Sequence, residues 1–198
     1  MARHAAIGGL VRYRSLVASL LACCLVWAGI HAGRTQPVAN APVSERSIKA
    51  AYLCKFAGYV QWPDSQTDAA GPLTIGVLNS GAMMEELTRI TAGRRISDRQ
   101  VLIRQIESGD PLDGLHMLFV GERDRERLDD LLLPARQLPI LTVTESVGAL
   151  AGGSVINFTI DRERVRFEVS LPAAERSQLK LSSRLLAVAQ RVQRVPER

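Results

Sequence analysis

Four short apolar runs punctuate this chain, and what separates them leaves few architectures open. Leu73-Thr-Ile-Gly-Val-Leu78 is continuous and apolar, the pattern of a strand buried on both faces. Asn79-Ser80-Gly81 then turns the chain into a helix from about Ala82 to Thr91, stopped by Gly93. Val101 to Ile106 reads as a second strand, and the turn signals Asp110-Pro111 and Asp113-Gly114 follow it. Leu115 to Val120 is a third strand. Glu122 to Leu133 is an amphipathic helix ended by Pro134, and Pro139 to Val143 is a fourth strand. Strands alternating with helices imply a parallel sheet covered on both faces.

The two ends of the domain depart from that rhythm. Ser44 is an N-cap candidate, with Ser47 as the alternative, for a helix that Trp62-Pro63 ends. With Ile48, Tyr52, Leu53, Phe56 and Val60 this helix is apolar on nearly all sides, so it packs on more than one face or keeps one for a partner. At the far end, Val155–Ile160 and Val165–Leu171 flank Asp161-Arg-Glu-Arg164, a hairpin signal. Pro172 opens a helical segment through Val192 with a stripe of Leu181, Leu185, Leu186, Val188, Ala189 and Val192. The expected fold is an α/β three-layer sandwich, with a mainly parallel central sheet, a C-terminal antiparallel hairpin and a C-terminal helix.

Charge is uneven along the 198 residues. The formal net charge is +5, yet residues 1–41 hold four arginines and no acid. Without them 21 basic side chains face 20 acidic ones, so the remainder is nearly neutral and gives no reason to expect nucleic-acid binding. Arg12-Tyr13-Arg14 precedes an uncharged apolar run, Ser15 to Ile30, as in an export signal. Cleavage patterns occur at Ala32 and at Ala39-Asn40-Ala41, the second followed by a disfavouring Pro42. The run is shorter than the roughly 18–20 residues that a membrane anchor needs. Leu20-Leu21-Ala22-Cys23 resembles a lipobox, but the apolar run continues past it. The expected organisation is a signal peptide (about 1–32 or 1–41) with its linker over 1–41, then a single periplasmic domain over 42–198.

Removing the leader also removes Cys23, Cys24, His4 and His31, leaving Cys54 and His116 alone of their kinds. One thiol forms no internal disulfide, and one His with one Cys makes no ordinary zinc set. No metal site, cofactor or catalytic residue is therefore expected. His116 opens an apolar strand and reads as structural; Cys54, inside the first helix, reads as buried. Glu85-Glu86 and Asp129-Asp130 fall on exposed helix faces. Gly148-Ala-Leu-Ala-Gly152-Gly153 precedes a strand rather than a helix, so it reads as a tight turn and not a phosphate loop.

Several segments in order resemble the YfiR family of periplasmic proteins: Ile48–Pro63 with its Trp-Pro exit, Leu73–Leu78, Gly152–Phe158 with Val165–Val169, and Ala174–Leu186. The resemblance implies a non-enzymatic, dimeric repressor. It would bind the periplasmic domain of an inner-membrane diguanylate cyclase, lower cyclic di-GMP and biofilm formation, and be released by an outer-membrane lipoprotein antagonist. Tyr52, Phe56 and Trp62 are then candidate partner-surface residues, and the open edge of the hairpin is a second contact surface. Asn157, Arg166, Glu168 and Arg184 are the matching-motif residues for ligand or partner binding. Familiar members carry disulfides; with Cys54 alone, an internal redox switch is not expected here. The competing expectation is a small-ligand sensor module serving another membrane receptor such as a sensor kinase, and a third is a hydrolase built on distant carboxylates.

Overall fold

The computed structural model describes residues 44–63, 71–78, 80–122 and 127–194; the expected leader and linker lie outside them. Helix α1 (Glu45–Tyr59) begins as its sequence requires, with the Ser44 hydroxyl accepting from the Ser47 amide at 3.1 Å. It ends four residues before Pro63, where Val60 turns extended and starts the two-residue strand β1 (Val60–Gln61). Ala50, Leu53, Phe56 and Ala57 are buried, whereas Ala51, Lys55 and Gly58 are exposed. The helix thus packs on one broad face. Small residues on the other side made it read as apolar all round.

Strand β2 (Leu73–Leu78) is buried along its whole length, and α2 (Gly81–Thr91) follows it directly. An unforeseen hairpin, β3 (Arg95–Ile96) with the start of β4 (Arg99–Ile106), comes next. Its two-residue turn, Ser97-Asp98, has φ of 48° and 61°, the geometry that Asn-Gly usually signals. Here neither residue announces it. Strand β5 (Met117–Val120) leads to α3 (Leu128–Leu132), which occupies the C-terminal part of the helix expected over Glu122–Leu133, and then to a 3₁₀ turn (Pro134–Gln137) beyond the expected stop at Pro134. Residues 123–126 of that span lie outside the described residues. Strand β6 (Leu141–Thr144) precedes the antiparallel hairpin β7 (Ile156–Asp161) and β8 (Arg164–Ser170), turned at Arg162-Glu163 as expected.

The segment from Leu171 to Val192 is not one helix. It folds as α4 (Leu171–Arg176), β9 (Lys180–Leu181), α5 (Ser183–Ala187) and β10 (Arg191–Gln193). Gln178 adopts φ 56°, which breaks the helix and lets Leu179 fold back into the core. Val188, an expected member of the stripe, is 62% exposed. Strand β9 pairs with β1, tying the exit of α1 to this region.

The main sheet has the order β10-β8-β7-β6-β5-β2-β4-β3, with β4, β2, β5, β6 and β7 parallel. Alternation along each strand divides the core. Ile75, Val77, Met117, Phe119, Leu141 and Val143 pack with α1 and α2 on one face. Leu78, Leu118 and Val120 pack with Leu128, Leu132 and Ala135 on the other. This is the three-layer α/β sandwich expected. The hairpin edge differs from expectation: β10 runs parallel along Glu168–Ser170 and covers that part of it.

Candidate functional site

In an open parallel sheet, the crevice for ligands lies beyond the carboxyl ends of the strands, where the strand order reverses. Here the chain leaves β2 through α2 to β4 on one side, and β5 returns to the other side of β2. The reversal is between β2 and β5, and a cleft of about 480 Å³ lies there. Its walls are Ser80–Met83 at the start of α2, Gly121-Glu122 after β5, Glu145 after β6, and Ser44, Glu45, Arg46 and Lys49 at the start of α1. A Cβ at Gly121 would stand 3.4 Å from Glu145 Oε1 and 3.5 Å from Ser80 Cβ, so glycine keeps this wall open.

Lys49 is the central charge. Its Nζ lies 2.5 Å from Glu145 Oε2 and 2.6 Å from Glu45 Oε1, and 6.0 Å from the centre of the Phe158 ring. Burial pulls the Lys49 pKa down, but its hydrogen bonds to Glu145 and Glu45 outweigh this, and the net shift is upward. Such a lysine keeps its proton at neutral pH and acts as a fixed positive charge rather than as a base or nucleophile. Glu145 is positioned from its other oxygen, which accepts the Glu122 amide at 3.0 Å.

The cleft continues into a depression of about 490 Å³ that reaches Ser146, Asn157, Glu168 and Arg191. Register explains the grouping: Thr144, Asn157, Glu168 and Arg191 are neighbours across β6, β7, β8 and β10. Asn157 is buried, and its Oδ1 accepts from Thr144 Oγ1 at 2.9 Å and from the Ser146 amide at 3.1 Å. Glu168 pairs with Arg191 at 2.9 Å. Of the four expected binding residues, the structure brings Asn157 and Glu168 to this depression. Arg166 and Arg184 are exposed and line neither part of the cleft.

Among the expected partner-surface residues, Phe56 is only 1% exposed, in an aromatic cluster with Tyr52, Phe158 and Phe167. Packing claims that ring, so it offers no surface. Tyr52 is half-buried beside it, and Trp62 donates from Nε1 to the His116 carbonyl at 3.0 Å. Sequence reasoning missed Lys49, Glu45, Glu145 and Arg191. Glu145 directly follows a strand, a position worth marking, but only the strand order shows which strand ends share a crevice.

Of the remaining candidates, His116 and the glycine-rich turn fall where their chemistry suggested, whereas Cys54 is less buried than expected. His116 is buried, with Nδ1 accepting from the Thr74 amide at 3.2 Å and Nε2 2.9 Å from the Arg99 guanidinium. Cys54 is half-buried with its thiol pKa pushed up by burial, the opposite of an activated thiol. The Gly148–Gly153 segment is a turn, and the Gly152 carbonyl accepts from Arg136 at 2.6 and 3.1 Å. Among the described residues no three His, Cys, Asp or Glu side chains are grouped to hold a metal ion, and no helix is long and apolar enough to cross a membrane.

Glu86 of α2, expected on an exposed helix face, has a side chain only 14% exposed and bonded to Ser47 of α1, and it gives a direct check on this geometry. Hydrogen bonds from Arg89 and from the Ser47 hydroxyl hold its carboxyl down to about 2. The stabilisation it provides is present above the ordinary value of 4.5 and is lost as pH falls through about 2. A carboxylate NMR titration is expected to place the Glu86 midpoint near 2, and Arg89→Met to move it up towards 4.5. A midpoint already near 4.5 in the unaltered chain would contradict the Arg89 contacts at 2.6 and 3.1 Å.

A family model described as YfiR/HmsC-like matches residues 46–190. No curated protein matches the chain. Among solved structures, a conserved domain protein from Vibrio cholerae O1 biovar El Tor is similar in fold, with a TM-score of 0.54 at 11% identity. The match covers 76% of this chain and 60% of that one, so this chain corresponds to only part of that protein.

Proposed function

The chain belongs to the YfiR/HmsC-like family of periplasmic regulators, and from that premise we propose that it restrains an inner-membrane diguanylate cyclase by binding its periplasmic domain. The observation that carries this reading is the extent of the family match, residues 46–190, which takes in nearly every described element. Export through the leader over 1–41 brings the domain to that compartment. The chain acts there as a homodimer, and an outer-membrane lipoprotein relieves the inhibition. Contact rather than chemistry is the working principle. Tyr52 and the Trp62 exit of α1 shape the docking face, and Arg166 and Arg184 are further exposed charges open to a partner. Purified chain is expected to bind the isolated periplasmic domain of an inner-membrane diguanylate cyclase of the same organism, measured by calorimetry. Absence of heat and of co-elution at concentrations of about 100 μM would set this reading aside.

One observation favours a second reading, a ligand-sensing module: the charged cleft occupies the position where open α/β sheets bind small molecules. In that case Asn157 and Glu168 with Lys49 and Glu145 are the recognition groups. A thermal-shift screen of anionic, cationic and zwitterionic metabolites separates the two readings, because a ligand that binds only the folded state raises its melting temperature.

A further inference from the structure

The depression beyond β6 and β7 has walls whose unused hydrogen-bonding groups define what it can hold. Ser146, the second residue after β6, is 1% exposed, and its hydroxyl has no hydrogen-bond partner among the described residues. A buried hydroxyl left in that condition is costly, so it marks a place where another group completes the site. Asn157, 4% exposed, spends its carbonyl oxygen on Thr144 and on the Ser146 amide, and its amide nitrogen remains as a donor. Both residues line the same cavity of about 490 Å³, a size usual for a small-molecule pocket.

We propose that this depression binds an uncharged sugar through its hydroxyl groups. The inference rests on the ligand-sensing reading of the cleft and names the class of ligand. A hydroxyl donates and accepts at once, and the walls supply partners of both kinds. The Asn157 amide nitrogen donates, and the Ser146 hydroxyl takes either role. Glu145 and Glu168 accept, because a carboxylate that holds one ion-pair partner keeps further lone pairs for a ligand. The Arg191 guanidinium likewise has donors beyond the one directed at Glu168.

The charges explain why the ligand is neutral. Lys49 lies 2.5 Å from Glu145 and Arg191 lies 2.9 Å from Glu168, and the two carboxylate side chains are only 18% and 19% exposed. A charged ligand group that engaged one member would compete with its partner and leave a charge short of its counter-ion where water screens poorly. A simple anion would also meet Glu45, Glu145 and Glu168 on the walls. A simple cation brings no acceptor for the Asn157 amide. A sugar hydroxyl bonds to the pairs without parting them. The rim adds apolar surface: Val147 after β6 is 83% exposed and Ile160 on β7 is 53% exposed, and both line the depression. The C–H faces of a sugar ring cover such groups.

The test is a thermal-shift titration of the purified chain with neutral hexoses, N-acetylhexosamines and their short oligomers, each at about 50 mM, where a millimolar Kd is visible. At least one of these sugars is expected to raise the melting temperature. Ser146→Ala is expected to fold with equal or greater stability, because the lost hydroxyl has no partner in the free protein, and to weaken sugar binding at least tenfold. Ser182→Ala removes another unpartnered buried hydroxyl, outside the depression, and is expected to leave binding unchanged. No shift with any of these sugars overturns the proposal, and so does binding that survives Ser146→Ala intact. Stabilisation by charged metabolites alone overturns the sugar while leaving the sensing reading in place; stabilisation by neither class removes both.

Discussion

Replacing Phe56 with alanine is expected to destabilise the domain by about 3–5 kcal/mol, a large part of the stability of an ordinary domain. The ring lies 4.8 Å from Phe167 and 5.7 Å from both Phe158 and Tyr52, centroid to centroid. Its removal therefore costs buried area, aromatic contacts and a cavity between α1 and the hairpin. The surrounding strands cannot close that cavity, because β7 and β8 are held in register over six pairs. Equilibrium unfolding in urea measures the loss. Phe56→Leu, which leaves a smaller void, is expected to cost less than half as much. A loss below about 1 kcal/mol for the alanine variant would mean that α1 is not seated on the hairpin.

Lys49→Met carries the second large effect, about 3 kcal/mol at pH 7, because it strands Glu145 in a largely buried position. The Lys49 and Glu145 side chains are 11% and 18% exposed, so water screens this pair weakly, unlike the contact to Glu45, which is 55% exposed. The double variant Lys49→Met/Glu145→Gln is expected to recover most of the loss. The amide removes the stranded charge and can still accept from the Glu122 backbone. A pH dependence follows as well. Lys49 holds its proton more tightly folded than unfolded, so its contribution is complete below its ordinary value of 10.5 and disappears as pH rises through the higher folded value. The gap between the parent chain and Lys49→Met is therefore expected to narrow in strongly alkaline buffer. Additive losses for Lys49→Met and Glu145→Gln would show that the two groups are not coupled.

The parts of this fold that the sequence announced are those whose physics is local. The continuous run of Leu73–Leu78 and the Ser44 cap each determine their own backbone, and each is found where expected. What depends on the rest of the molecule was not legible. The stripe from Leu181 to Val192 has helical spacing, but the left-handed Gln178, the β1–β9 pairing and the attachment of β10 to β8 divide it. Ser97-Asp98 adopts a turn that its residue types do not favour. The cleft was hidden for the same reason. Lys49 and Glu145 are 96 positions apart, and only the placement of β5 beside β2, with β6 next to it, brings Glu145 to the start of α1. Asn157 was found through its motif, although two of its hydrogen bonds hold the turn after β6.

The proposed restraint of a membrane cyclase by contact is tested most directly inside the cell. Cyclic di-GMP is measured in the parent strain, in a strain lacking this chain, and in a double mutant that also lacks the membrane cyclase whose periplasmic domain the chain binds. The account predicts a rise of several-fold in the single mutant, restored by the intact gene, and no rise in the double mutant. An unchanged level in the single mutant, or a rise that persists without the cyclase, would contradict it.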